Sequence, residues 1–388
     1  MYGAVRGAQP YDGRITVETL AALRSLEQAQ VRRPLIIGCW PAARSNPYQA
    51  LLYGRSWQHG AAVVGLSTQE DIDTISTIVQ GRARLALHLH WTREVLAGIT
   101  DEVQAQSAIA DFTTRLDRFI AAGGTLIWTV HNLLPHDCAL PHLEALLQRE
   151  IAERAAIIHV LTRATTEAVA DQFTIPASRA LHIPHPNYIS TYPDHVTREQ
   201  ARFDLGLDLD AMVFTTVGAL QPYKGLPALL SAFQTLADSD VRPHQLVVAG
   251  RPAADGSVDD VLADLAAHPR TVVRADRIPD VDMQRYLKAA DVAVLPYERS
   301  LNSGALIMAL GFGTPVVAPD TPATREVVRA DHAELFRPGD RQSLLAAMRA
   351  ARRLASPTAR ASARARAERF DPVALSEAFF SEVNERVL

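Results

Sequence analysis

Short runs of β-branched and apolar residues alternate with amphipathic stretches along the 388-residue chain, and this alternation limits the fold more than any single motif. A parallel sheet buried on both faces needs near-continuous apolar strands, with helices crossing over between them. In the first half such runs stand at residues 34–39, 61–65, 85–89, 125–130, 157–161 and 180–183, with helices expected at 48–58, 107–122 and 141–154. On the second of these helices Phe112, Leu116, Phe119 and Ile120 share one face, and Gly123-Gly124 is placed to stop it. Around Pro184, Pro186 and Pro193 helix is disfavoured, which marks a domain boundary. A second series follows, with strands at 212–217, 245–249, 271–274, 292–295 and 315–318 and helices at 226–237, 258–267, 282–289 and 304–310. The fold class is therefore α/β, with two Rossmann-like doubly wound domains. The first is expected over residues 1–195, completed by a C-terminal helix at 373–388, and the second over 196–372. Ligands of such sheets bind at the carboxyl ends of the strands, so two facing halves are expected to form an interdomain cleft.

Composition removes several classes. With 48% hydrophobic and 21% charged residues the chain is neither disordered nor collagenous, and Cys39 and Cys138 are too few for a disulfide scaffold. They also lack metal-ligand spacing and read as small residues in a reducing compartment. A net charge of −4 gives no general pull towards nucleic acid. No segment has the length and apolarity of a signal peptide or membrane span, so a cytoplasmic location is expected. One basic stretch, containing Arg349, Arg352, Arg353, Arg360, Arg364, Arg366 and Arg369, fits either a solvated helix face or a surface resting on anionic lipid. Peripheral contact with the inner face of the cell membrane thus stays open. The paired acids Asp71/Asp73 and Asp280/Asp282 suit helix starts rather than a metal site.

Of 39 basic residues only Lys224 and Lys288 are lysine, which fits a GC-rich bacterial genome and makes each Lys informative. Lys224 lies in VFTTVGALQPYKGLPALLSAF, a strand, a Gly-containing loop and a helix. Gly218 lets backbone approach a ligand, the helix start offers unpaired N–H groups, and the ammonium adds a compact positive charge. Those parts suit a diphosphate.

The segment resembles the strand, V-G-x-L loop and K-G of the retaining nucleotide-sugar glycosyltransferases of family 4, which have the two-domain GT-B fold. Further similar pieces occur in order: LVVAG at 246–250, RIPDVDM at 277–283, YLKAADVAVLPY at 286–297 and ALGFGTPVVA at 309–318. The family's basic residue after V-G is replaced by Ala219, and its two glutamates fall on Ser300 and Met308. This chain is similar to the members that carry an N-S-G turn instead, at Asn302, Ser303 and Gly304, which is either a phosphate site or a plain N-cap. The resemblance implies donor binding by Gly218, Lys224, Ile278, Asn302, Ser303 and Gly304, while Arg251, directly after Gly250, is a candidate to replace the cation missing at Ala219, and nearby Glu298 is a candidate to bind a sugar hydroxyl.

The loops of the first half carry CWPAARSNPYQ, HLHW and WTVHNLLPHD, and the junction carries HPNY. They deliver Arg44, Asn46, Tyr48, His90, Trp91, Asn132, His136 and His185 as candidate acceptor-binding groups, each of which could equally be structural. His131 corresponds in position to a histidine near the reacting sugar in similar transferases. The expectation is metal-independent, cofactor-free transfer, with retention, from a UDP- or GDP-linked sugar to an acceptor hydroxyl, with Lys224 and His131 catalytic. The acceptor would be a lipid-linked saccharide of surface polysaccharide or a small secondary metabolite. Two rivals remain, a non-catalytic GT-B scaffold and an enzyme of another GT-B class, a sugar-nucleotide epimerase or a phosphorylase.

Overall fold

The computed structural model describes residues 14–43, 46–134, 139–239 and 243–387. Two parallel sheets of six strands organise it. The first contains β1 Leu35–Trp40, β2 Ala61–Gly65, β3 Arg84–Leu89, β4 Thr125–Val130, β5 Ile157–Val160 and β6 Ala180–His182. The second contains β7 Met212–Val217, β8 His244–Ala249, β9 Thr271–Arg274, β10 Val292–Val294, β11 Val316–Pro319 and β12 Ala333–Phe336. The first sheet has the order β2-β1-β3-β4-β5-β6 and the second β12-β11-β10-β7-β8-β9. In each, the chain reverses its direction of travel at one place, between β1 and β3 and between β7 and β10. Loops leaving those neighbours diverge to opposite faces and open a crevice at the strand ends.

The chain divides into two units, one holding the described residues up to Pro186 and from Pro372 onward, the other Asn187–Asp371. Residues 187–195, expected with the first domain, therefore fall in the second unit. In the first unit the helix Pro372–Arg386 lays Phe379, Phe380 and Val383, all fully buried, against the sheet core of Leu35, Ile37, Ile127 and Ile157. Its Ser376 Oγ donates to the Leu52 carbonyl at 2.6 Å and accepts from the Arg55 amide at 3.0 Å. The helix Glu102–Ala121 is capped by Asp101, whose carboxylate accepts from the Gln104 amide at 2.8 Å. Gly123, with φ +91°, follows its C-cap Ala122. The helix expected over 48–58 is broken at Gly54 into Pro47–Leu52 and a 3-10 turn at Ser56–His59. Strand β12 was not foreseen: four residues including Glu334 make too short an apolar run, and pairing with β11 supplies what local pattern does not.

The Arg-rich stretch is a 3-10 turn at Ala351–Leu354 and a helix at Pro357–Glu368. Its guanidinium groups largely serve the protein itself. Arg353 bonds Glu334 at 2.5 Å, Arg360 donates to the Ala290 carbonyl at 2.8 Å, and Arg366 donates to the Val327 carbonyl at 2.6 Å. The last two bonds satisfy carbonyls left open where helices end. Among the described residues no helix is long and apolar enough to cross a membrane.

The entry to the second sheet is held by a buried ion pair. Arg202, 1% exposed, donates to Asp291 Oδ2 at 2.8 Å and to the carbonyls of Ala289, Leu209 and Ala211 at 3.0, 2.6 and 3.0 Å. Asp291 in turn accepts from the Val213 amide at 2.9 Å, tying β10 to β7. Arg198 also pairs with Asp291, so removing Arg202 leaves that carboxylate half-paired and deprives three carbonyls of their donor. Arg202→Met is expected to destabilise the fold by about 3–5 kcal/mol, read as a lowered urea midpoint by circular dichroism.

Candidate functional site

Three glycines bring the strand ends of the second unit to backbone contact. Gly218, after β7, has φ +119°, and Gly250, after β8, has φ +153°. A Cβ on Gly250 would lie 1.7 Å from the Gly218 carbonyl oxygen, so no side chain fits. The two loops then pair, Leu220 N–H to the Arg251 carbonyl at 2.8 Å and Ala253 N–H to the Leu220 carbonyl at 2.9 Å. A 3-10 turn at Pro222–Lys224 follows and is ended by Gly225 at φ +66°, where a Cβ would lie 2.1 Å from the Pro296 oxygen. The Lys224 loop is thereby pressed against the end of β10, at the crevice the strand order creates.

Lys224 is only 8% exposed. Its Nζ lies 3.4 Å from where a Cβ on Gly218 would stand and 5.3 Å from the centre of the Tyr297 ring. Among the described residues no carboxylate pairs with it, and burial holds its pKa below the ordinary lysine value. Burial likewise pushes the Tyr297 phenol up to about 12, partly offset by a hydrogen bond with the Ser303 side chain. Ser303 caps the helix Gly304–Gly311, its Oγ accepting from the Leu306 amide at 3.1 Å. The N-S-G turn is thus an N-cap that also reaches Tyr297, placing Lys224, Tyr297 and Ser303 in one run of contacts.

The other expected donor residues are placed less closely. Arg251 is exposed in the loop whose backbone pairs with Leu220, and Glu298 is exposed, its amide donating to the Tyr223 carbonyl at 3.1 Å. Ile278 is half-buried beyond β9, two strands from β7. Ser300 closes its own turn by donating to the Asn302 carbonyl at 3.0 Å, and Met308 is buried. Tyr297 escaped the sequence reading although it ends a quoted motif, because its apolar run reads only as a strand.

In the first unit the ends of β1, β3 and β4 assemble an aromatic cluster. Tyr48, 1% exposed, stands 5.1 Å from His131, 5.9 Å from His90 and 5.0 Å from His185, ring centre to ring centre. Trp91 stacks on His131 at 4.5 Å and 14°. Asn46 caps the helix Pro47–Leu52, its Oδ1 accepting from the Tyr48 amide at 3.0 Å, so it orients Tyr48. Gln49, not foreseen, braces the loop after β1 by accepting from the Ala43 amide at 2.8 Å and donating to the Pro41 carbonyl at 2.9 Å. Asn132 is half-buried beside the cluster. Arg44, His136 and Cys138 lie outside the described residues. Cys39 is free and buried, its thiol pushed up to about 12. Among the described residues no group of three His, Cys, Asp or Glu side chains is arranged to hold a metal ion.

Residues 211–353, most of the second unit, match the model of the glycosyl transferases group 1 family. The chain is a glycosyltransferase with the GT-B fold, and its second unit carries the group 1 domain. Over 286 residues this glycosyltransferase is 27% identical to the GDP-mannose:glycolipid 4-beta-D-mannosyltransferase of Xanthomonas campestris pv. campestris, covering 72% of this chain and 71% of that one. It is 33% identical over 150 residues to the D-inositol 3-phosphate glycosyltransferase of Rhodococcus erythropolis, covering 37% of this chain and 34% of that one. Its fold is similar to sucrose-phosphate synthase from Thermosynechococcus elongatus, with a TM-score of 0.71 at 16% identity over 91% of this chain and 99% of that one. Anabaena HepE, solved in complex with UDP and glucose, gives 0.66 at 16% identity over 91% of this chain and all of its own.

Burial lowers the pKa of each clustered histidine, well below the ordinary range for His88, His90 and His131 and to about 4 for His159 and His185. Below pH 6.5 the unfolded chain takes up protons that the folded rings refuse, so stability falls with pH from there towards 4, by about 1.4 kcal/mol per pH unit for each ring. Glu144, raised by burial from 4.5 to about 7, opposes this with a single proton between those values. The glycosyltransferase is therefore expected to lose stability steeply on acidification. Urea melts at a series of pH values, followed by the fluorescence of Trp40, Trp91 and Trp128, check it.

Proposed function

We propose that this glycosyltransferase moves a hexosyl group from a UDP- or GDP-linked donor to an acceptor hydroxyl, with retention and without a metal or other cofactor. One observation carries the reading. Lys224 is a buried ammonium with no carboxylate partner among the described residues, set at the strand-order crevice of the second unit. A buried cation is costly unless paired, and a diphosphate supplies the missing charge. As the sugar departs, negative charge builds on that diphosphate, and a preorganised ammonium in a dry site stabilises it. Arg251, exposed on the paired loop, adds a second cation, and the amides near Gly218 and Gly304 add donors. His131 and the aromatic groups around it, in the first unit, position the acceptor or the transferred sugar. The names of the relatives support both bases, GDP-mannose in Xanthomonas and UDP in HepE. A glycolipid acceptor, named for the Xanthomonas enzyme, supports a lipid-linked saccharide over a small secondary metabolite.

A second reading, transfer with inversion, is favoured by that same relative, whose name specifies a β-mannoside, and by Ser300 and Met308 at the two positions where glutamates were expected. The anomeric configuration of the product against the donor, read by NMR, separates the two.

Lys224→Ala is expected to lower turnover by roughly two to three orders of magnitude, the scale of removing one preorganised charge-stabilising group, with an unchanged circular-dichroism spectrum. Wild-type-like transfer by the folded variant would sink the assignment. UDP or GDP should raise the melting temperature of the wild type and not of this variant. Transfer should be insensitive to EDTA. Nucleotide binding without transfer or donor hydrolysis would favour the non-catalytic scaffold.

A further inference from the structure

Six hydrogen bonds run in series through the interior of the first unit. His159 Nε2 meets the Ile183 carbonyl at 2.9 Å, and His159 Nδ1 meets Thr129 Oγ1 at 2.9 Å. Thr129 Oγ1 meets His88 Nε2 at 2.7 Å, and His88 Nδ1 meets Tyr53 Oη at 2.7 Å. Tyr53 Oη meets His90 Nε2 at 2.7 Å, and His90 Nδ1 meets His131 Nε2 at 3.0 Å. Thr129, His88 and His159 are fully buried, and His90 and Tyr53 nearly so. The helix Pro372–Arg386 closes the array, Phe379 stacking on His88 at 5.4 Å.

Every direction in this series follows from its first member. A carbonyl only accepts, so neutral His159 carries its proton on Nε2 and offers a lone pair at Nδ1. Thr129 must donate to that lone pair, and its oxygen then accepts from His88 Nε2–H. His88 Nδ1 in turn accepts from the Tyr53 hydroxyl, Tyr53 accepts from His90 Nε2–H, and His90 Nδ1 accepts from His131 Nε2–H. Reversing any one bond sets two lone pairs or two protons against each other elsewhere in the series. The buried rings stay neutral, since no acid pairs with them among the described residues and they depress one another's basicity.

We infer that this series is a positioning device that locks His131 in the Nε2–H tautomer, so that any group His131 meets at Nδ1 must donate to its lone pair. The ligand class this selects is a sugar or acceptor hydroxyl, which can donate, and not a phosphate or carboxylate oxygen. The role of that hydroxyl in transfer rests on the function proposed above, whereas the lock itself does not. Tyr53 is the joint between the anchored half of the series and the half that ends at His131, and Thr129 joins His159 to the rest.

The test uses the full chain with 15N-labelled histidine and long-range 1H–15N correlation at neutral pH, the His131 signals being assigned by their loss in His131→Gln. The wild type is expected to show all four rings as Nε2–H. In Tyr53→Phe, His90 and His131 should move to averaged tautomers while His88 and His159 keep theirs. Thr129→Val, of nearly equal shape, should release His88, His90 and His131 and spare His159, and Thr129→Ser should restore the wild-type pattern. Where transfer is measurable, Tyr53→Phe should lower kcat/KM for the acceptor roughly five- to tenfold, the effect of weakening one hydrogen bond, and leave thermal stabilisation by UDP or GDP intact. His131 protonated at Nδ1 in the wild type, or unmoved in both Tyr53→Phe and Thr129→Val, overturns the inference. Absent stabilisation by either nucleotide with the tautomer pattern as expected would count against the proposed function and leave the lock standing.

Discussion

Backbone-to-backbone approach at Gly218, Gly225 and Gly250 is what allows the second unit to have a site at all. Parallel strands end at the same level, and their loops ordinarily diverge under the bulk of their own side chains. Here a Cβ at Gly250 would occupy the Gly218 oxygen, and one at Gly225 would meet the Pro296 oxygen. With those side chains missing, three loops close on one another and Lys224 is driven under them, beside Tyr297. The ammonium is buried because the backbone is close, and its burial is what makes an anionic ligand the natural partner. The ion pair of Arg202 and Asp291 stands at the other end of the same strands. One end of the sheet therefore satisfies its charge internally, while the other leaves a charge to be satisfied from outside.

Much of this was legible in the sequence. Strands buried on both faces must be largely apolar, and eleven of the twelve strands among the described residues were placed from that pattern. The twelfth, Ala333–Phe336, contains Glu334 and is short, so only its partner strand defines it. The Arg-rich stretch looked like a solvated or lipid-facing surface because charge count says nothing of direction. Arg360 and Arg366 turn back to carbonyls at the ends of neighbouring elements, which depends on the tertiary fold, while Arg349, Arg352, Arg353 and Arg369 stay exposed.

The sites were legible where a residue is chemically out of place and hidden where it is not. Lys224 stood out against 37 arginines, and His90, His131 and Trp91 stood out at strand ends. Tyr297 and Tyr53 did not, since an aromatic residue within an apolar run reads as core. His88 and His159 lie inside strands whose burial predicts apolar neighbours, and their partnership needs the β1-β3-β4-β5 order that brings the strands side by side. Local pattern reports burial, whereas a hydrogen-bonded series across several strands is a property of topology.

The helix Pro372–Arg386 belongs to the first unit yet follows the whole of the second in sequence. Phe379 and Phe380 supply part of the first unit's core, and Phe379 covers His88. During synthesis the first sheet therefore emerges with an apolar face and a polar histidine array still open, and it stays so until residues 372–387 follow. Domains generally fold in order as they leave the ribosome, N-terminal first. In this chain the order is inverted at one point: Asn187–Asp371 is complete before the first unit can close, so the earlier half matures last.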